Sequence, residues 1–427
     1  MFVVGRTAVW AETARLHIDT RCGAGQYELF RRNPQRGKGE DLMELWGLFD
    51  PAIRADPYRH YRKLRDQGPS LHDKGAHLFL SHADCARLLR DPEFGHGRGG
   101  AATIRSFLFL NPPEHTRLRR LVSAAFTART VEGLRPRIER IVGDLLDTVV
   151  DAGDSDLVAE FARPIPVTVI CELLGIPAED RSRFPGWSHD LALAFDPDLD
   201  THQPPEVLAR RDLAHSLFAE YFLALRAERL RHPGRDLVSR LVAEDGGVAG
   251  DALAPDEFVA TCELLLLAGH ETTVNLIGNA IAELIRQPDL YAAGRNSPEL
   301  VGALVEETLR MHPSVQFVPR LALAPTTFAG HEIAGGDLAI ALVAAANRDP
   351  DVYPDPDAFR LNRPGAHHLS FGAGPHFCLG APLARLEATI ALTMLLARGR
   401  LEATGSIAYT DNNVLHGPAK LPARIRP

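Results

Sequence analysis

The stretch Ser370-Phe371-Gly372-Ala373-Gly374-Pro375-His376-Phe377-Cys378-Leu379-Gly380 sets one cysteine among three glycines and a proline. Glycine lowers both helix and strand propensity and proline removes a donor, so this stretch reads as a tight loop. The residues that follow, Ala381 to Ala388, read as a helix, which puts Cys378 just before a helix N-terminus. There the helix dipole and free backbone N–H groups favour a thiolate. A thiolate held in a Gly-rich turn suits a soft metal centre, because glycines let backbone N–H groups approach the sulfur. A dinucleotide fingerprint fails, since Phe377 stands where the third glycine belongs. A zinc site lacks a second ligand pair beside His376 and Cys378. A buried inert cysteine leaves the glycines unexplained.

A second set of chemistry-bearing residues lies on a long helix expected from Pro255 to about Gln287. Its middle reads Leu264-Leu265-Leu266-Leu267-Ala268-Gly269-His270-Glu271-Thr272-Thr273. Leucines running round the helix mean burial on nearly all sides, and polar residues then appear in the most buried part, where they are costly unless satisfied or functional. Threonines bonding their own helix are the plain explanation. Gly269 weakens the ladder and marks a place for a kink with inserted water. Ala268, Gly269 and Thr272 share a face, while Glu271 points about 100° away from Thr272.

Three cationic patterns complete the set. His115 and Arg119, four apart in a helix opened by Pro112-Pro113-Glu114, share one face and could clamp an anion; a solvated basic face is the commoner meaning of such a run. Glu307 and Arg310 are three apart on a helix capped by Ser297 and ended before Pro313, a weak signal taken alone. Arg320 closes the extended stretch Ser314-Val315-Gln316-Phe317-Val318-Pro319.

The string F-G-x-G-x-H-x-C-x-G at 371–380 resembles the haem-binding loop of cytochromes P450. Ala268 to Thr273 resembles the family's oxygen-activation motif, an acid beside an alcohol. The 111–121 string is similar to the helix whose His and Arg bind haem propionates, with Asn111 where many relatives have Asp, a change expected to matter little. Glu307 and Arg310 match the family's structural ion pair, and residues 346–364 its meander. The resemblance covers about 45–427 and implies a mainly α fold with small β-sheets. It implies haem b with Cys378 as the axial thiolate on iron, and propionates held by His115, Arg119, Arg320 and His376. Phe371 and Gly372 complete the cofactor loop, Thr272 and Glu271 deliver protons, and Leu264, Leu267, Ala268, Gly269, Val315 and Gln316 line the substrate pocket. The activity implied is insertion of one oxygen atom from O2 into a small apolar molecule. Electrons would come from a separate ferredoxin or flavodoxin with its NAD(P)H-dependent reductase. A peroxide-driven peroxygenase would lack the acid–alcohol pair, and a non-catalytic haem-binding protein would not need it.

The rest of the chain must position these groups. With 427 residues, 45% hydrophobic and 24% charged, the composition is that of a globular protein with a large core. A net charge of −8 argues against nucleic acid. Five scattered cysteines form no disulfide framework, so a reducing cytoplasm is expected. Charge interrupts the N-terminus at Arg6, so no membrane anchor is expected. Residues 1–42 read as an extension, disordered or upstream of a true start at Met43, and 43–427 as the haem domain, a monomer. Helical periodicity fills 131–246. Short strands are expected at 76–80, around 328–333 and at 339–345, with a strand pair in 400–427. The 95–110 loop and the 180–215 roof would shape the pocket. Arg117, Arg120 and Arg385 would meet an acidic redox partner.

Overall fold

The computed structural model describes residues 47–48, 50–73, 75–96, 106–123, 126–192, 205–243, 253–363, 367–412 and 414–426. The expectation for residues 1–42 lies outside these, as do 97–105 of the expected lid and 193–204 of the roof.

The fold is mainly helical. In chain order, α1 (Tyr58–Arg65), β1 (Ser70–Asp73), β2 (Ala76–Phe79), α2 (His82–Leu88) and β3 (Phe94–Gly95) come first. Helices α3 (Glu114–Ser123) and α4 (Arg135–Ala152) follow, then β4 (Asp154–Asp156) and α5 (Pro164–Leu174). The roof region supplies α6 (Phe184–Ala192), α7 (Pro205–Arg231) and α8 (Leu237–Ala243). The long helix is α9 (Pro255–Arg286), followed by α10 (Pro288–Asn296) and α11 (Val301–Met311). Strands β5 (Val318–Ala322), β6 (Thr326–Phe328), β7 (His331–Ile333) and β8 (Leu338–Ala341) precede α12 (Ala381–Arg398). The chain closes with β9 (Arg400–Ala403), β10 (Ala408–Tyr409), β11 (Pro418–Lys420) and β12 (Pro422–Arg426).

Helix α9 forms where the sequence places it. Pro255 occupies its first turn, and the Glu257 carboxylate accepts from Ala254 N at 3.0 Å, satisfying a donor that would otherwise be orphaned. Pro288 stops it. Its 32 residues span about 50 Å, and it packs against α5, α7, α11 and α12. Leu264 to Leu267 are all buried in the main core, each stabilising by about 1.5–3 kcal/mol relative to exposure.

The largest sheet runs β1-β2-β8-β5-β3, with β2 and β8 parallel and the other pairs antiparallel. Every residue of β2 and β8 is buried, as expected for strands covered on both faces. A three-stranded sheet orders β4-β12-β9, and β6-β7 and β10-β11 form hairpins.

Four details depart from expectation. Ser297 makes no side-chain cap, and a short 3-10 turn, Pro298–Leu300, leads into α11. The segment 339–345 is strand only to Ala341; Val343–Ala346 turn into a single helical turn. Strands β1 and β4 are additional, because their residues carry no apolar alternation. Gly269 does not interrupt α9. A Cβ there would stand 3.3 Å from Ile170 of α5, so the glycine serves close approach of two helices rather than a kink.

Candidate active site

The cysteine loop is shaped by its glycines. Gly374 has φ +68°, and a Cβ there would come within 2.7 Å of the Leu89 carbonyl oxygen. Gly372 has φ +69°. No other residue type fits both demands at 374. Cys378 N donates to Phe371 O at 2.8 Å and closes the loop. Phe371 is buried under the Arg385 guanidinium, 4.5 Å above its ring. Among the described cysteines, all free thiols, Cys378 alone is not fully buried.

The thiol does not gain from its helix N-terminus as much as the sequence implies. Burial pushes its pKa up, outweighing the N–H groups of Gly380 and Ala381 and the charges of Arg119 and Arg385, which pull it down. A thiolate there needs a further positive charge, which a bound metal supplies. Among the described residues no cluster of three His, Cys, Asp or Glu is arranged to hold a metal ion, so no zinc-type site forms around it.

Beside the loop, five basic groups converge from four parts of the chain. Helix α3 brings His115 and Arg119, the loop brings His376, β5 brings Arg320, and the end of β3 brings His96. The His115 and His376 rings lie 4.1 Å apart, and those of His96 and His376 5.1 Å apart. Arg119 Nη2 donates to Phe377 O, tying α3 to the cysteine loop. Arg320 sits in the middle of the sheet with its side chain on the buried face and donates only to Pro319 O, 2.9 Å away.

Among the described residues no acid answers these groups. Burial, then the charges of Arg320 and His115, pushes His96 down to about 3; burial, then Arg320 and the two histidines, pushes His376 down to about 2. Burial lowers Arg320 to about 10, and lowers His115 and Arg119 as well. Both ring nitrogens of His115, and Nε2 of His96, are buried without a hydrogen-bond partner. Orphaned donors and cations of this kind are costly unless an anion completes them. A planar group with two carboxylates, held at Cys378 through a metal, fits this donor set.

Sequence reasoning missed His96. Its position is fixed by tertiary pairing, since Gly95 lies opposite Leu321 in the sheet and so brings the next residue beside Arg320. Asn111 then holds it: Oδ1 accepts from His96 N at 2.9 Å and Nδ2 donates to His96 O at 2.6 Å. An aspartate can make only the first of these bonds, so Asn111 is not a neutral change.

Across from the loop, Ala268 is exposed in the midst of an otherwise buried helix, and Gly269, Glu271 and Thr272 are half-buried. This face of α9 is therefore open rather than packed. Thr272 Oγ1 donates to Ala268 O at 2.8 Å, and Thr273 Oγ1 to Gly269 O at 3.3 Å, so both threonines bond their own helix. Ser314 Oγ donates to Thr272 O at 2.7 Å and pins the helix there. Glu271 lies 3.5 Å from Arg163 Nη1 and 3.2 Å from His270 Nε2.

The other expected pocket residues divide. Val315 is half-buried and bridges to Leu415. Gln316 is buried with Nε2 donating to Pro313 O at 2.6 Å, and its side chain reaches Tyr58 of the second core cluster. Leu264 and Leu267 are packed into the main core with little surface left. Glu307 and Arg310 form a buried pair, Nη2 to Oε1 2.7 Å and Nε to Oε2 2.8 Å. Arg363 Nε adds a third contact to Glu307 Oε1 at 2.8 Å, and carbonyls of Asn347, Pro356 and Ala358 take the remaining Arg310 donors.

Comparison with known proteins agrees with this geometry. The family model described as cytochrome P450 matches residues 76–420. The chain is similar to the cytochrome P450 monooxygenase PikC of Streptomyces venezuelae, 37% identical over 89% of this chain and 94% of that one. It is similar to the vitamin D(3) 25-hydroxylase of Pseudonocardia autotrophica, 36% identical over 90% and 97%. The ligand-free crystal structure of CYP164A2 from Mycobacterium smegmatis superposes with a TM-score of 0.83 at 43% identity, covering 89% of this chain and 99% of that one. The chain therefore belongs to the cytochrome P450 family, and it is a haem b monooxygenase.

Proposed function

We propose that this enzyme inserts one oxygen atom from O2 into a small, apolar, lipid-like molecule, by hydroxylation or epoxidation. It acts as a cytoplasmic monomer supplied with electrons by a separate ferredoxin or flavodoxin and its NAD(P)H-dependent reductase. The observation that carries the haem-binding part is the set of five buried or half-buried basic groups beside Cys378, with no acid against them among the described residues. Haem bound there would supply dioxygen activation at an iron carrying the Cys378 sulfur as electron donor. His115, Arg119, Arg320, His376 and His96 would hold its propionates. A cation about 4 Å from a carboxylate contributes on the order of 4 kcal/mol at the effective dielectric of a partly buried site. Among the described residues no helix is long and apolar enough to cross a membrane.

Thr272 and Glu271 handle protons at the open face of α9. The Thr272 proton is directed at Ala268 O, so its lone pairs are left to accept first; it donates only after the hydroxyl turns. Glu271, between Arg163 and the helix, exchanges with solvent. The apolar surface left at Ala268 and Val315 supports an apolar substrate, as does the relative named for hydroxylating vitamin D(3).

The redox partner meets fewer free cations than the sequence alone implies. Arg117 pairs with Glu257, and Arg385 is bidentate on Glu306 at 2.6 and 3.0 Å. With those two charges answered inside the chain, docking rests more on shape, and turnover with a ferredoxin should fall only modestly as ionic strength rises. The decisive experiment measures product, H2O2 and NAD(P)H consumed in parallel. Thr272→Ala should still consume NAD(P)H but release more H2O2 per product, whereas Glu271→Gln should slow the cycle. Wild-type coupling in Thr272→Ala would overturn the relay and favour a peroxide-driven reaction. A screen of candidate lipids and polycyclic compounds for spectral shifts would name the substrate.

A further inference from the structure

His270 lies beside the reacting face of α9 and has no part in the chemistry described so far. It is 1% exposed, and its Nδ1 lies 2.8 Å from the Leu266 carbonyl oxygen one turn back. A carbonyl only accepts, so Nδ1 carries a hydrogen. In a neutral ring that leaves Nε2 with a bare lone pair. Nε2 is buried without an aligned hydrogen-bond partner, yet it stands 3.2 Å from Oε1 of Glu271. The same Oε1 is 3.5 Å from Nη1 of Arg163, just before α5. A lone pair facing a carboxylate oxygen at that distance repels it, whereas a proton between them makes a charge-assisted bond after a small turn of the ring.

We propose that His270 and Glu271 hold one proton in common, and that His270 is the store from which Glu271 is recharged as it feeds protons toward Thr272. This rests on the relay proposed above. When a proton is drawn inward, the Nε2–H bond breaks, an Oε1–H bond forms, and the Glu271 carboxyl then passes that proton toward Thr272. The ring is left neutral with its hydrogen on Nδ1. A proton from solvent, arriving at the 15% of the Glu271 side chain that is exposed, restores the pair. Each proton delivered is matched by one taken up, and no electrons move. The arginine charge beside Oε1 favours the carboxylate, so at rest the shared proton lies on the nitrogen side. His270 touches no substrate; acting through Glu271, it is a positioning residue for the relay. A histidine that merely bonds its own helix needs only Nδ1.

The test is nitrogen NMR of the full chain with 15N-labelled histidine, in the reduced, carbon-monoxide-bound haem form, which is diamagnetic. The His270 signal is assigned by its loss in His270→Asn or, should that variant lose haem, by through-bond connection to the amides of Gly269 and Glu271. In the wild type Nε2 should show the shift of a proton-bearing nitrogen, and in Glu271→Gln that of a bare one. A bare Nε2 in the wild type would overturn the proposal. His270→Asn should also slow product formation by about tenfold with haem content unchanged, a smaller loss than the ~100-fold a positioned acid or base typically contributes. A haem-replete His270→Asn as fast as wild type, with Glu271→Gln slow, would equally overturn it. Glu271→Gln at the wild-type rate would instead sink the relay itself, and the two failures are told apart because the nitrogen shift is read without turnover.

Discussion

Two buried arginine sites in this protein are built on opposite terms. Arg310 is surrounded by acceptors: both oxygens of Glu307 and three backbone carbonyls take its donors, and Arg363 joins the same carboxylate. Arg320, also buried, has one carbonyl and three imidazoles near it and, among the described residues, no acid. The first site is complete within the chain and supports the fold. The second is complete only with an anion from outside, which is why the same residue type in the same burial class means structure in one place and cofactor in the other.

The widest separation between the sites should come from their central members. Cys378→Ala removes the sulfur that would ligate the iron beside the cation cluster, and the reduced protein exposed to carbon monoxide should lose the red-shifted Soret band of a thiolate-ligated haem entirely. Retention of that band in the variant would assign the iron ligand elsewhere.

Next in size is a pair of substitutions with opposite signs. Arg310→Ala strands Glu307 as an unpaired buried charge and should destabilise the protein by about 3–5 kcal/mol, with or without haem, in denaturant titrations. Arg320→Met removes a buried cation that lacks an acid, so the haem-free protein should be as stable as wild type or more so, by roughly 1–3 kcal/mol, while haem is lost faster to a scavenger. A haem-free Arg320→Met less stable than wild type would erase the distinction between the two sites.

The histidines sharpen the comparison through pH. His96 and His376 are held down to about 3 and about 2, against 6.5 in the unfolded chain. Below pH 6.5 the unfolded chain therefore takes up protons that the folded chain refuses, so acid favours unfolding. Stability should fall by about 1.4 kcal/mol per pH unit for each, until the folded values are reached near pH 3 and 2. Propionates beside these rings would raise both values, so haem-loaded protein should show a shallower slope between pH 6 and 4. Equal slopes in the two forms would mean that the rings do not face the cofactor. Glu306 acts lower: burial alone would raise it, but His368 and Arg385 bring it down to about 2 from 4.5, so its contribution is lost only as pH falls from 4.5 toward 2.

The smallest effect expected is at Asn111. Asn111→Asp loses the bond to His96 O and sets a carboxylate against that carbonyl, which should cost about 1 kcal/mol and appear as a few-fold faster haem loss. An unchanged rate would mean that His96 is positioned by β3 alone.

The sequence by itself determined the cysteine loop, the long helix and its acid–alcohol pair, and the helix carrying His115 and Arg119. In each the chemistry is local: glycines at fixed spacing, a run of leucines bounded by prolines, and basic residues one turn apart. Tertiary structure alone decided the rest. His96 enters the cation cluster only because β3 pairs with β5, two segments more than 200 residues apart in the chain. Gln316 bonds Pro313 O and reaches Tyr58, a contact that brings together segments far apart in the chain. Gly269 serves helix contact, Arg117 and Arg385 are spent on Glu257 and Glu306, and the thiol of Cys378 is held up by burial. Local sequence states which groups a segment carries; whether a charge is answered or left for a ligand depends on what the rest of the chain brings against it, and periodicity carries no record of that.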